Sequence, residues 1–400
     1  MTAMTAVAAV GAVASRGLPR LLAGDSGDPL SLTAHVRLHG PLPSPSPGQL
    51  FSVLQRSGLR GRGGADFPTA AKLRSVADGR RRPSAVIVNA SETEPLSRKD
   101  STLLELAPHL VLDGAILAAR AVGAPEVIVK LSDDADPAMA AVVEAAAALR
   151  TSGKLRVSAV SGPAGYATGE ETAVVNWLSH GVAKPVLVPP RPSERGYRGR
   201  PTLVQNVETL AQLALLARHG DGWFRQIGTD ADPGSLLVTV AGAVALPGVQ
   251  EVAFGTSISE IVAVAGGEAE PIQALLIGGY FGAWILAPEA LSLRLARDEL
   301  GAAGCSLGSG VIFALGTSAS GLAESARIAG YQARQSVGQC GPCVHGLAAI
   351  ANAMQAIADG DHSRRLQVLR WCGEVSGRGA CHHPTGVARF VESALAVFDE

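Results

Sequence analysis

The sequence predicts an α/β protein: a parallel sheet with helices on both faces, then a smaller β-rich segment, then a C-terminal helical bundle. Three observations carry this reading. Apolar strands alternate with Ala/Leu-rich helical stretches from about residue 49 to 228, which is the grammar of repeated βαβ units. From 233 to 284 the texture changes to short β-branched runs. After 318, helical stretches accompany four of the five cysteines.

Taken in order, residues 1–48 read as an Ala-rich arm ending in the Gly/Pro/Ser-rich stretch 41–48, the first domain boundary. The opening run MTAMTAVAAVGAVASRG is apolar but has no basic region before it, so it reads as an arm rather than a signal peptide. The strand SAVIVNA, the helix PHLVLDGAILAARAV, the strand PEVIVKL, the helix DPAMAAVVEAAAALR and the strand LRVSAVSG place an α/β domain over 49–230. Ligands of such domains sit at the carboxyl ends of the strands. The insert covers 231–285, and a connecting segment, 286–317, carries the strand SGVIFAL. Helices at 319–332, 346–358 and 364–375 build the last domain, 318–400.

Composition narrows the function. A chain of 400 residues, 47% hydrophobic and 17% charged, can bury a large core, which excludes disorder. A net charge of −1 offers no global field for nucleic acid, and 4% aromatic residues leave no base-stacking platform. No uninterrupted apolar run is long enough for direct membrane insertion. Cys305 stands alone, whereas Cys340, Cys343, Cys372 and Cys381 crowd the C-terminal end. That pattern suits a cytoplasmic protein with a metal, cluster or thiol site, not a secreted disulfide framework.

Four stretches could carry chemistry. GLRGRGGADFPTAAK, residues 58–72, leads a glycine-rich loop into a helix bearing Lys72, an arrangement suited to phosphate. Asp66 opposes that reading unless its carboxylate faces away as a helix cap. VNASETEP gathers Asn89, Ser91, Glu92 and Glu94 just past an apolar strand. In GYATGEETAVVNWL, Thr168 and Glu171 have capping-box spacing, which leaves Glu170 free for sugar hydroxyls. PTLVQNVETLA offers Gln205, Asn206 and Thr209 at a helix start, where caps are as natural as ligands.

In this order and combination, over about residues 50–390, the strings resemble the flavin-bearing, NADH-oxidising (51 kDa or F-type) subunit of respiratory complex I. The relatives of that subunit in NAD-linked hydrogenases and formate dehydrogenases share them. The resemblance implies a Rossmann-like FMN-binding domain, a β-grasp insert of the soluble-ligand-binding kind with GAVALPGVQEV as its hairpin, and a helical bundle holding a [4Fe–4S] cluster. It implies that Gly61, Arg62, Gly63, Gly64, Lys72, Asn89, Ser91, Tyr166, Gly169, Gln205, Asn206 and Thr209 cradle FMN. Glu92, Glu170, Glu171 and Phe67 would line the adjoining NAD(H) pocket, with Glu92 and Glu171 nearest the chemistry and Phe67 stacking on the base. Hydride would pass from NADH to FMN, and single electrons would leave through the cluster.

The sequence departs from that family at defined places. Asp66 stands where the family usually has Gly, and Ser91 where it has Asp. Val76 and Arg191 align with two further aromatic contacts to the nucleotide. The family's Cys-x2-Cys-x2-Cys, with a fourth Cys about forty residues on, becomes SVGQCGPCVHG. Val337 takes the first position, and Cys340, Cys343 and Cys381 take the others. A four-iron cluster takes four ligands. The fourth would then be Cys372, one of His345, His382 or His383, or an exogenous group. Otherwise the site holds a three-iron cluster, a CxxC thiol pair or nothing.

Two basic runs, 80–82 and the loop bearing Arg191, Arg195, Arg198 and Arg200, are solvated faces or, for the second, a dock for a 2′-phosphate or an acidic carrier. The resulting expectation is an FMN and iron–sulfur oxidoreductase that passes electrons from NADH or NADPH to a partner protein. Two alternatives stand beside it: a flavin electron-transfer protein that a ferredoxin-like partner supplies with electrons, and a non-catalytic interaction subunit.

Overall fold

The computed structural model describes residues 8–9, 18–24, 29–79, 81–149 and 155–399. Most of the Ala-rich opening run, and Arg80 of the first basic run, lie outside the described residues.

The Val/Ile-rich runs form a parallel sheet of four strands, β1 (Ala85–Ala90), β2 (Glu126–Ser132), β3 (Arg156–Gly162) and β4 (Thr202–Asn206), in the order β3-β2-β1-β4. β1 and β2 are buried along nearly their whole length, as strands covered on both faces must be. β3 is one edge strand, and its polar alternation, RVSAVSG, matches a half-exposed strand. Among the described residues, eight helices of eight or more residues surround the sheet: α1 (Leu32–His39), α2 (Pro47–Ser57), α3 (Thr69–Ala77), α4 (Lys99–Leu106), α5 (Pro108–Val122), α6 (Asp136–Ala148), α7 (Glu171–His180) and α8 (Val207–Phe224). α5 and α8 cross so closely at Gly114 that a Cβ there would lie 1.8 Å from the Leu210 carbonyl oxygen.

The stretch 41–48 is not a domain boundary. Residues on both sides of it pack into one core, Leu21 before it and Leu50 after it. The backbone N–H groups of Arg20 and Leu21 donate to Glu251 Oε2 at 2.7 and 2.8 Å. α1 is fastened to α5 through buried His35, whose Nε2 lies 2.9 Å from Asp113.

A second, mixed sheet contains β5 (Ser235–Gly242), β6 (Gly248–Ala253), β7 (Ile272–Ile277), β8 (Ala283–Leu286) and β9 (Val311–Gly316), in the order β6-β5-β9-β7-β8, with Ala8–Ala9 paired at the β6 edge. A hairpin, a helix (α9, Ile258–Val264) and a last strand parallel to the first make the arrangement of a β-grasp. β9 sits between β5 and β7, so the segment read as a connection supplies the middle strand of this sheet. Two short helices, α10 (Ala287–Ser292) and α11 (Arg297–Ala302), precede it.

The C-terminal bundle comprises α12 (Gly321–Arg334), α13 (Leu347–Ala358), α14 (Arg365–Val375) and α15 (His383–Phe398). α15 is a fourth helix beyond the three expected. Its buried Val387, Phe390, Val391, Ala394 and Leu395 follow the i, i+3, i+4, i+7, i+8 spacing of one helix face. Among the described residues no single helix is long and apolar enough to cross a membrane. The bent pair α4 and α5 passes on length and composition together, but it turns through 98° and α5 is almost wholly buried.

Candidate functional site

A cavity of about 500 Å³ opens at the carboxyl edge of the parallel sheet, where the loops after β1 and β4 meet the glycine-rich loop, the β-grasp and the bundle. The glycine-rich loop is closed on itself by a bridge between Arg60 and Pro68 and by Gly61 N–H donating to Phe67 O at 2.9 Å. It is pinned to α8 by Arg62 N–H donating to Thr209 Oγ1 at 2.9 Å. Gly64, at φ +89°, takes a turn that favours glycine. Asp66 also has positive φ, 49°. Its carboxylate accepts two hydrogen bonds from the Arg297 guanidinium, at 2.6 and 2.7 Å, and one from Arg60 at 2.9 Å. It therefore faces α11 and its negative charge is neutralised.

The loops after β1 and β4 are braced by their own polar groups. Asn89 donates to Gly169 O at 2.7 Å and accepts from the Ser91 hydroxyl at 2.8 Å. Asn206 caps α8 through Glu208 and Thr209 N–H, and donates to Asp100 at 2.6 Å. Beneath them lies a buried charge network absent from the sequence reading. Lys99 Nζ pairs with Asp100 at 2.7 Å and Glu208 at 3.0 Å. Burial pushes the Asp100 carboxyl up to about 6 and draws Arg62 down to about 10. Arg62 and Lys99 line the cavity with their charges paired to the buried carboxylates of Glu208 and Asp100.

The acidic residues exchange the roles expected of them. Glu92 lines the cavity, but its carboxylate is occupied by the start of α4, accepting from Ser97 Oγ, Asp100 N–H and Ser101 N–H, each at 2.8 Å. Glu94 is the perturbed group. It is 6% exposed and accepts from the Tyr166 hydroxyl at 2.9 Å and Tyr280 N–H at 2.8 Å, while its Oε1 has no partner. Burial pushes its carboxyl up to about 7, so it holds a proton close to neutral pH. Glu170, not Thr168, caps α7, accepting from Thr172 and Ala173 N–H at 2.9 and 3.0 Å. That leaves Glu171 to pair with Lys72 Nζ at 2.8 Å.

Other expected residues fall outside the cavity wall. Lys72 is tied to Glu171, Gln205 is buried within β4, and Thr209 braces the loop. Phe67 is half exposed, as a stacking face would be. Val76 is fully buried in the core and cannot touch a nucleotide, whereas Arg191 is exposed. Arg198 pairs with Glu126 at 3.4 Å and Arg200 bonds Arg82 O, so part of the basic loop is occupied internally.

The cysteine loop abuts the cavity. His382, one residue after Cys381, lines the cavity, and the Cys381 thiol feels the charge of Glu170, also in its wall. Cys340 and Cys343 lie close enough to perturb each other's thiols, and each is electrostatically coupled to Cys381. Against the upward push of burial, the backbone N–H groups of Ala380 and Cys343 hold the Cys340 thiol below its ordinary value. Cys372 lies apart, fully buried on α14 in the apolar core of the bundle with Glu392 as its charged neighbour, and burial pushes its thiol up to about 12. Cys305 is a core cysteine of the β-grasp.

The cavity suits FMN. It has the size of a cofactor site. A buried polar atom in its wall, Glu94 Oε1, lacks the hydrogen-bond partner that a ligand with polar edges would supply. The thiols suit three corners of an iron–sulfur cluster. Among the described residues no three His, Cys, Asp or Glu side chains converge as ligands of a single metal ion do, and the ligands of a cluster bind separate irons.

Comparison with known proteins agrees with this division. Residues 54–215 match the Nuo51 FMN-binding domain, and residues 323–400 match the NADH-ubiquinone oxidoreductase-F iron–sulfur binding region. The chain is 31% identical over 369 residues to an F-type subunit of NADH-quinone oxidoreductase from Rhizobium meliloti, covering 88% of this chain and 87% of that one. It is 29% identical to the F-type subunit of NADH-quinone oxidoreductase from Streptomyces coelicolor, covering 89% and 82%. Among solved structures it is similar to a chain of an NAD+-reducing [NiFe]-hydrogenase in the air-oxidized state, with TM-score 0.81 and 31% identity. That likeness covers 89% of this chain and 62% of the hydrogenase chain.

Proposed function

Because the chain belongs to the family of F-type subunits of NADH-quinone oxidoreductase, we propose that it oxidises NADH at the sheet-edge cavity and delivers the electrons singly, through its cysteine loop, to a separate iron–sulfur protein. Bound FMN supplies the hydride acceptor there and an iron–sulfur cluster the one-electron outlet. The observation that carries the reading is the contact between the two sites: Cys381 and the cavity-lining His382 are consecutive residues.

The chain's own groups divide the work. Arg62, Gly63, Gly64, Asn89, Ser91, Gly169 and Asn206 would hold the cofactor at the sheet edge. Glu94, hydrogen-bonded to Tyr166, holds a proton in the cavity wall near neutral pH and would offer it to a bound cofactor. Glu92 and Glu170 keep the surrounding backbone in place by capping α4 and α7. Phe67 offers its exposed face to the incoming nicotinamide nucleotide.

One observation favours a second reading. Neither Val76, buried in the core, nor Arg191 provides the aromatic nucleotide contact that the family has at these positions. A protein that keeps flavin while losing dinucleotide affinity would take its electrons from a ferredoxin-like partner. An anaerobic absorption spectrum of the FMN-loaded protein separates the two. Flavin bands that bleach on adding NADH, with NADPH as comparison, carry the first reading. Bands that bleach only with reduced ferredoxin carry the second and overturn the first.

A further inference from the structure

We propose that Glu94 is the exit for the proton that NADH oxidation leaves behind, carrying it from the flavin cavity into a second cavity on the other side of its loop. This rests on the NADH oxidation proposed above and adds a way out for the proton. The second cavity, of about 370 Å³, shares Ser91, Glu92, Thr93 and Glu94 with the first, so residues 91–94 form the wall between the two. It reaches solvent at Asp134 and Ala164, both exposed, and has room for water.

Of the two carboxylates in that wall, Glu94 is the one free to carry a proton. Glu92, at φ 34°, spends its oxygens on Ser97 and on the N–H groups at the start of α4. Glu94 keeps Oε1 without a partner, and burial holds its carboxyl at about 7, so near neutral pH it both takes and gives a proton. The groups around it lead elsewhere. Tyr166 donates its hydroxyl to Glu94, but its ring packs edge-on against Phe281 and His383 inside the molecule. Tyr280 offers Glu94 its backbone N–H, while its hydroxyl accepts from Arg327, and a guanidinium does not release a proton. On the flavin side Asp100 pairs with Lys99, Arg62 with Glu208, and Glu170 caps α7. His382 lines the flavin cavity alone, whereas Arg98, Asp134 and Tyr331 line the second cavity with Glu94.

The balance of the reaction requires such an exit. On becoming NAD+, NADH loses a ring C–H bond, and with it two electrons and one proton. The electrons depart singly, and the proton stays at a site from which bound cofactor and nucleotide exclude water. Glu94 takes the proton as its own O–H and releases it to water in the second cavity, and the exposed Asp134 carboxylate at the rim passes it to bulk solvent.

The test is infrared spectroscopy of the full chain on rapid transfer to D2O at about pH 6, where the protonated Glu94 carboxyl gives a stretching band that Glu94→Gln removes. The shift of that band on deuteration reports proton access without turnover. In the wild type its rate is expected to stay within about twofold when FMN fills the first cavity, because the second remains open to water. Sealed from water, the carboxyl would exchange only on local opening, at least about tenfold more slowly. That slowing is expected when the second cavity is plugged, in FMN-loaded Ala164→Trp or Asp134→Trp, both at positions outside the flavin cavity. Such slowing on FMN binding to the wild type, or wild-type exchange in both plugged, FMN-binding variants, overturns the route. Neither result depends on NADH, whose failure to bleach the flavin would instead overturn the function on which the proposal rests.

Discussion

The flavin cavity and the cysteine loop lie one residue apart and tolerate change differently. The glycine-rich loop holds Asp66 where relatives usually have Gly, and its carboxylate turns outward onto Arg297 while the loop keeps its closed form. The cysteine loop holds Val337 where relatives have a ligand, and no rotation of that side chain restores a donor. A site made from backbone shape and N–H groups absorbs a side-chain substitution. A site made from side-chain donors loses a bond for each one, unless a neighbour supplies another.

The sharpest way to break this comparison is to remove cysteines one at a time. Cys343→Ala, in the sulfur group, should abolish cluster iron after reconstitution. Cys372→Ala should leave iron unchanged and cost about 1 kcal/mol of stability for a small void in a packed core. Equal iron loss in the two variants would place Cys372 among the ligands.

Next in size is a pH effect confined to the cavity. Glu94 titrates at about 7 in the folded chain against an ordinary 4.5, so between those values the folded state binds the extra proton. Stability therefore falls as pH rises through that window, by up to roughly 3 kcal/mol, and levels off above it. Glu94→Gln is neutral throughout and should remove this slope from urea unfolding of the FMN-free protein. A slope that persists in the variant assigns the effect to another group, Asp100 first.

Asp66 tests the tolerance of the backbone directly. Asp66→Ala removes its partly exposed ion pairs and leaves a Cβ at φ 49°, for a loss of about 1 kcal/mol. Asp66→Gly removes the same pairs but is at ease in that conformation, so it should be the milder change by about 0.5–1 kcal/mol. Neither should weaken FMN binding, because the carboxylate faces α11. A tenfold change in FMN affinity in either would show that the charge reaches the cavity.

What the sequence made legible follows the same division. β1, β2, β3, α5 and α6 could be read from apolar periodicity: β1, β2 and α5 are dominated by burial, β3 alternates as an edge strand, and α6 buries one face through Ala138, Val142 and Ala145. The capping of α7 could not, since Glu170 and Glu171 are adjacent and only the helix start in three dimensions decides which carboxylate meets its N–H groups. The charges under the cavity were equally hidden. Lys99 and Glu208 lie 109 positions apart, and nothing local marks a lysine as buried. β9 was visible as a strand, but its place between β5 and β7 is a long-range pairing.

Lys72 gives the smallest and most discriminating effect. The family resemblance sets it against FMN, whereas here its ammonium lies 2.8 Å from Glu171, joins α3 to α7 and is about a quarter exposed. An ion pair of that exposure contributes about 0–1 kcal/mol, so Lys72→Met should barely move the unfolding midpoint. If the pair persists with flavin bound, FMN affinity in a titration of the apoprotein should change by less than about twofold. A charged hydrogen bond to phosphate is worth about 1.5–3 kcal/mol, so its loss would weaken binding by about tenfold or more. The second outcome would mean that Lys72 leaves Glu171 when flavin enters, and that the glycine loop and α7 rearrange together on binding. The first would leave the cationic side of the site to Arg62 and Lys99, two residues held by buried carboxylates beneath the cavity rather than by the helix that follows the loop.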